Sequence, residues 1–151
     1  MRLYGRPAKG IRDMATARDW RTVAAPTLAD FEHLAAWAWD RLPGHFRELC
    51  RDLVIRVEDF ASDEALAELD IEDAFDLMGL YRGVSLTRRN VSDPPREPDM
   101  VYLYRRPILD YWADGDDSLG ELITHVLVHE IGHHFGFSDA DMEDIEGEVA
   151  D

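Results

Sequence analysis

Between Thr27 and Pro43 apolar residues return every three or four positions, at Phe31, Leu34, Ala35, Ala38 and Leu42. That spacing predicts an amphipathic helix, which Thr27 or Asp30 can cap and Pro43-Gly44 stops. A shorter helix is expected over 45–51. In LVIRVEDF (53–60) the period falls to two: Leu53, Ile55 and Val57 share one face, and Val54, Arg56 and Glu58 the other, which predicts a strand. Residues 62–78 read as helical in one or two pieces that begin at Ser62, with Glu64 or Glu68 completing the start. GLYRGVSLT (79–87) is β-like and broken by Gly79 and Gly83, and NVSDPPREPD (90–99) is a loop on its prolines. MVYLY (100–104) is apolar on both faces, so a strand covered on both sides is expected there. Pro107 should open a short helix that Gly115 ends, and 117–136 should form the longest helix. Ser138 then starts a terminal acidic helix. Helices and strands do not alternate regularly, so the predicted class is α+β.

The 117–136 segment carries the chemistry. Leu119, Leu122, Ile123, Val126, Leu127, Val128, Ile131 and Phe135 point in nearly every direction around it, the pattern of a buried helix. Yet four of the six histidines fall between residues 125 and 134. At about 100° per residue, His133 lies ~40° from His129 and one turn on, with Glu130 at ~100°. Imidazoles and a carboxylate inside such a helix are costly unless something satisfies them, and a divalent metal would. HEIGH, His129 to His133, puts two ligands on one face with a glutamate beside the first, where it reaches the water on the ion. Gly136 can end the helix in a left-handed turn, after which Asp139 can bring a carboxylate to the same ion. Two histidines and one carboxylate leave a fourth tetrahedral place open, as catalytic rather than structural zinc sites do.

The neighbouring groups read differently. His125 and His129 are also four residues apart and form a rival metal pair, but no glutamate follows His125 and its Cα is about 12 Å from that of His133, so a place behind the ligands or on the rim of the site is expected for it. His134 points ~100° from His133 and reads as a packed or surface residue. His33 and His45 carry no pattern. Asp141, Glu143 and Asp144 are rival carboxylates to Asp139, but they suit a helix start capped by Ser138 better.

Charge narrows the partners. The chain has 151 residues and a net charge of −16. Residues 1–26 carry a net +4, so the remainder carries −20. A body that acidic repels phosphate backbones, which argues against nucleic acid. No apolar run is long enough for a membrane span, and residues 1–26 lack the apolar core expected of a secretory signal. The lone Cys50 fits a reducing compartment and hence a cytoplasmic location, and it reads as a packed core residue. Residues 1–26 are expected to form a flexible basic tail, and 27–151 one domain.

HEIGHHFGFSD matches HExxHxxGxxD and, with DLMGLYRGVSLTRR and DMVYLYRRPILDYW upstream, resembles the small bacterial zincin-like metallopeptidases over most of 27–146. The resemblance implies a compact zincin-like fold with a short sheet and a helix carrying His129, Glu130 and His133, one Zn2+ per chain with Asp139 as third ligand, and peptide or protein substrates. It also implies an edge strand that aligns substrate, at 79–87 or 100–104. Tyr81, Arg82, Tyr102 and Tyr104 in those segments are candidates to steady an oxyanion, though ordinary strand aromatics and solvated arginines look the same. No Met-turn follows, since Met142 is too close. Two rival readings stand beside a peptidase. One is a catalytically silent metal-binding interaction module on this scaffold; the other is a structural histidine helix without metal.

Overall fold

The fold is set first by its helix starts. In the computed structural model, which describes residues 18–50, 52–83 and 98–149, Thr27 and Asp30 form a reciprocal capping box and begin helix α1 (Leu28–Arg41). Among the described residues there are six α-helices: α1, α2 (Gly44–Arg47), α3 (Asp63–Glu68), α4 (Arg105–Asp114), α5 (Leu119–His134) and α6 (Asp139–Gly147). Ser118 with Glu121, and Ser138 with Asp141, repeat the capping box at α5 and α6. Each box satisfies backbone N–H groups that a first turn leaves without partners.

Three strands, β1 (Val54–Glu58), β2 (Gly79–Arg82) and β3 (Met100–Tyr104), form one mixed sheet in the order β1-β3-β2. β1 runs parallel to β3, with Val54 opposite Met100, and β2 runs antiparallel to it, with Gly79 opposite Leu103. The central β3 is covered on both faces, as its unbroken apolar run predicts. Val101 and Leu103 are fully buried with Phe31, Ala35, Ile123, Leu127 and Ile131 from α1 and α5. On the other face Tyr104 is buried with Ala61, Ala65 and Leu66. Leu53, Ile55 and Val57 turn together toward the larger core. The α+β expectation holds.

Three local details sharpen or correct the sequence reading. Helix α4 begins at Arg105, so Pro107 is its third residue rather than its opening. A proline costs little there, because first-turn N–H groups have no intrahelical acceptor. Arg105 anchors this earlier start by donating to the Pro26 carbonyl at 2.6 Å and pairing with Asp59 at 3.0 Å. Second, of the one or two helical pieces expected over 62–78 there are two, since α3 stops at Glu68 and a 3-10 turn follows at Ala74–Asp76. Asp70 at φ 57° makes the break, with Ile71 N–H donating to the Leu66 carbonyl at 2.9 Å. Third, the helix expected over 45–51 is α2 followed by a 3-10 turn at Glu48–Cys50, with residue 51 outside the described residues. Residues 1–17 of the expected basic tail, 84–87 of the β-like segment and 90–97 of the loop lie outside the described residues. Among the described residues no helix is long and apolar enough to cross a membrane.

Candidate metal centre

α5 is buried on nearly every side, with Leu122, Ile123, Val126, Leu127, Val128 and Ile131 all in the core. One strip stays open. Glu121, His125 and His133 are exposed and His129 is half-buried, each one turn beyond the last. Residues four apart drift only ~40° around a helix, so the row keeps to one face. The expectation of imidazoles inside an all-apolar helix is corrected here: they line its single wet strip, and the costly burial falls mainly on Glu130.

Glu130 lies against β2. Gly79 is close enough that a Cβ there would stand 3.1 Å from Glu130 Cγ. The Tyr81 backbone N–H donates to the Glu130 carboxyl. Burial pushes that carboxyl up to about 7, with the Tyr81 bond opposing the shift. Burial, then the charges of His125 and His133, hold His129 below the ordinary imidazole range, against the pull of Glu146 and Asp139. Of the two readings of His134, packed or surface, the packed one holds: its ring stacks on Tyr81 at 3.8 Å between centroids.

The turn after α5 decides which carboxylates return. Gly136 sits at φ 79°, Phe137 N–H donates to the Gly132 carbonyl at 2.8 Å and Gly136 N–H to the His133 carbonyl at 3.2 Å. This is the paired closure that a left-handed glycine permits. Ser138 then caps α6 with Asp141, the role foreseen for that acid, and Asp139 is the first helical residue. α6 folds back along α5, with Met142 fully buried at Gly132, where a Cβ would come within 2.5 Å of its Sδ.

That return brings Glu146 to the far end of the histidine row. Glu146 Oε1 lies 2.6 Å from His125 Nδ1. The rings of His125 and His129 are 4.0 Å apart, those of His129 and His133 5.6 Å. Among the described residues, the donors gathered within 4.8 Å of one another are those of His125, His129 and Glu146. His133 and Asp139 stand outside that group; Asp139 is exposed at the head of α6, near enough for its charge to act on His129. Glu146 was not singled out from sequence. Only the antiparallel return of α6 pairs it with His125, and the weak apolar pattern after Ser138 does not announce that pairing. His125 and Glu146 also line a cleft of about 610 Å³ with Trp37, Tyr111 and Glu121.

The strand residues considered for an oxyanion have other partners. Tyr81 Oη donates to Asp99 at 2.8 Å, Arg82 pairs with Glu68 at 3.0 Å, and the rings of Tyr102 and Tyr104 stack at 6.1 Å. β3 is paired on both sides, so 100–104 offers no edge; β2 is an edge of the described sheet.

The curated proteins contain no match to this chain. A family model described as zincin-like metallopeptidase matches residues 50–149, from the end of α2's extension through β1, the whole sheet and both helices of the histidine site. With a mixed three-stranded sheet packed on a helix that carries His129, Glu130 and His133, the chain belongs to the zincin-like metallopeptidase family.

Proposed function

We propose that this protein is a zinc-dependent peptidase with one ion per chain, held by His129, His133 and Asp139, and with Glu130 as general base. The observation that carries the reading is the placement of Glu130. Glu130 follows His129 in the chain, its Cγ lies against Gly79, and its half-buried carboxyl accepts the Tyr81 backbone N–H. A carboxylate so restrained, beside a wet strip of imidazoles, supports a role as general base.

The donor set suits the ion. Neutral imidazole nitrogens and a carboxylate oxygen are zinc ligands, and they leave a place for solvent. Membership of the family implies the same metal, although similar divalent ions accept these ligands. When bound, zinc supplies Lewis-acid polarisation of the scissile carbonyl and acidifies a water. Glu130 takes the water's proton and delivers it to the leaving amine. Substrates are peptides or proteins, and the β2 edge, which already touches Glu130, is the strand along which an extended chain would pair. The buried lone Cys50 fits a reducing, cytoplasmic setting.

The test is cleavage of a peptide library by wild type and Glu130→Gln, read by mass spectrometry, with metal content measured on both. Cleavage that vanishes in the variant while metal stays bound supports the assignment. A variant that cuts at the wild-type rate overturns it. Absence of cleavage in both, with metal retained, favours the silent binding module.

A further inference from the structure

We propose that His125, His129 and Glu146 form a second register for a divalent ion of the zinc class, one helical turn from His133 and exclusive of the His129–His133 register. The inference rests on the preceding reading only in treating that other register as the catalytic one. The site itself stands on its own geometry.

The donors of these three residues already lie within 4.8 Å of one another, and His125 Nδ1 and Glu146 Oε1 are 2.6 Å apart. Ligand atoms on a tetrahedral zinc stand about 3.3 Å from each other, given bonds of ~2.0–2.1 Å. The closest pair must therefore open by less than an ångström and the widest close by at most ~1.5 Å, which side-chain rotations supply. An ion can reach the place, since the His125 side chain is 48% exposed and both residues face the cleft beside Trp37 and Tyr111. Two imidazoles and one carboxylate again make an open zinc-type set.

The two registers share His129. A neutral imidazole has one acceptor nitrogen, so His129 serves one ion at a time. An ion in the second register also lacks the general base. Around α5, Glu130 is ~60° from His133 but ~140° from His125; its Cγ packs at Gly79 and its carboxyl accepts the Tyr81 N–H. The second register thus holds metal in an idle position, and its occupancy trades against the catalytic one.

The experiment uses the full chain without a histidine tag, stripped of metal and titrated with zinc alone against a chromophoric chelator. The double variant His133→Ala/Asp139→Asn removes the other register. It should still bind one zinc per chain, and adding either His125→Ala or Glu146→Gln should weaken that binding at least tenfold, since even partners outside a metal's ligand set cost about 10–100-fold. Circular dichroism of the metal-free variants checks folding, and the two additions are independent of each other. A double variant that binds no zinc while wild type does would overturn the second register and leave the peptidase reading standing. Binding indifferent to both His125 and Glu146 would overturn it equally. Two zinc ions on wild type would overturn the exclusivity.

Discussion

Gly79 on β2 and Glu130 on α5 meet without a side chain between them: a Cβ at Gly79 would lie 3.1 Å from Glu130 Cγ and 2.8 Å from Val126 Cγ1. That bare contact brings the Tyr81 N–H onto the Glu130 carboxyl. Val126 is buried and β-branched, so it has little room to give. Gly79→Ala should cost about 1–3 kcal/mol through overpacking. It should also lower any Glu130-dependent cleavage, because the strand and the carboxyl move apart. Urea unfolding midpoints of the two proteins check the first effect, and an unchanged midpoint would mean the helix slides freely on β2.

Gly136 presents the opposite case. Nothing lies within 4 Å of a Cβ built there, but its φ of 79° is left-handed. Gly136→Ala should therefore destabilise by about 1–2 kcal/mol from backbone strain alone, and Gly136→Asn by less, because asparagine tolerates this region. Thermal unfolding of both variants gives the order. Equal losses would point to lost contacts instead of conformation.

The caps separate stability from the site. Ser118 and Ser138 each accept an N–H from the third residue of their helix. Replacing either by alanine should cost about 1 kcal/mol. Only Ser138→Ala loosens the turn that presents Asp139, so it alone should weaken zinc binding if Asp139 is a ligand. Paired chelator titrations in a Glu146→Gln background decide this; the same affinity in both variants would argue against Asp139.

What was legible in the chain was what short-range spacing controls. The i, i+4 step placed His129 and His133 on one face, Gly136 marked the stop, and Ser138 marked the next start. Burial of β3 on both faces was legible because MVYLY has no polar side. Its place between a parallel and an antiparallel neighbour was not, since nothing local in 54–58 or 79–82 names a partner strand. Glu146 was hidden for the same reason: its meeting with His125, twenty-one residues away, depends on how two helices fold back on each other. Exposure of the histidine row was also hidden, because an all-apolar wheel gives no sign of which strip the neighbouring elements leave uncovered.

Cys50 gives the pH test. Only 3% of it is exposed, its Sγ lies 3.7 Å from the Arg47 carbonyl oxygen, and burial, with the charge of Asp99 adding to it, pushes its thiol from 9.0 up to about 11. At pH 8 the folded chain should then hold about 100-fold less thiolate than the unfolded one, as two pKa units dictate. Maleimide labelling should be slower by at least that factor in native protein than in urea. The folded thiol keeps its proton to a higher pH than the unfolded one. Its contribution to stability is therefore complete below pH 9 and is lost as pH rises through about 11. Cys50→Ala removes that group, so the alkaline fall in unfolding midpoint should be shallower in the variant than in wild type across this window. Parallel curves, or native labelling as fast as unfolded, would show that the thiol is open to solvent and that the end of α2 does not seal this side of the core.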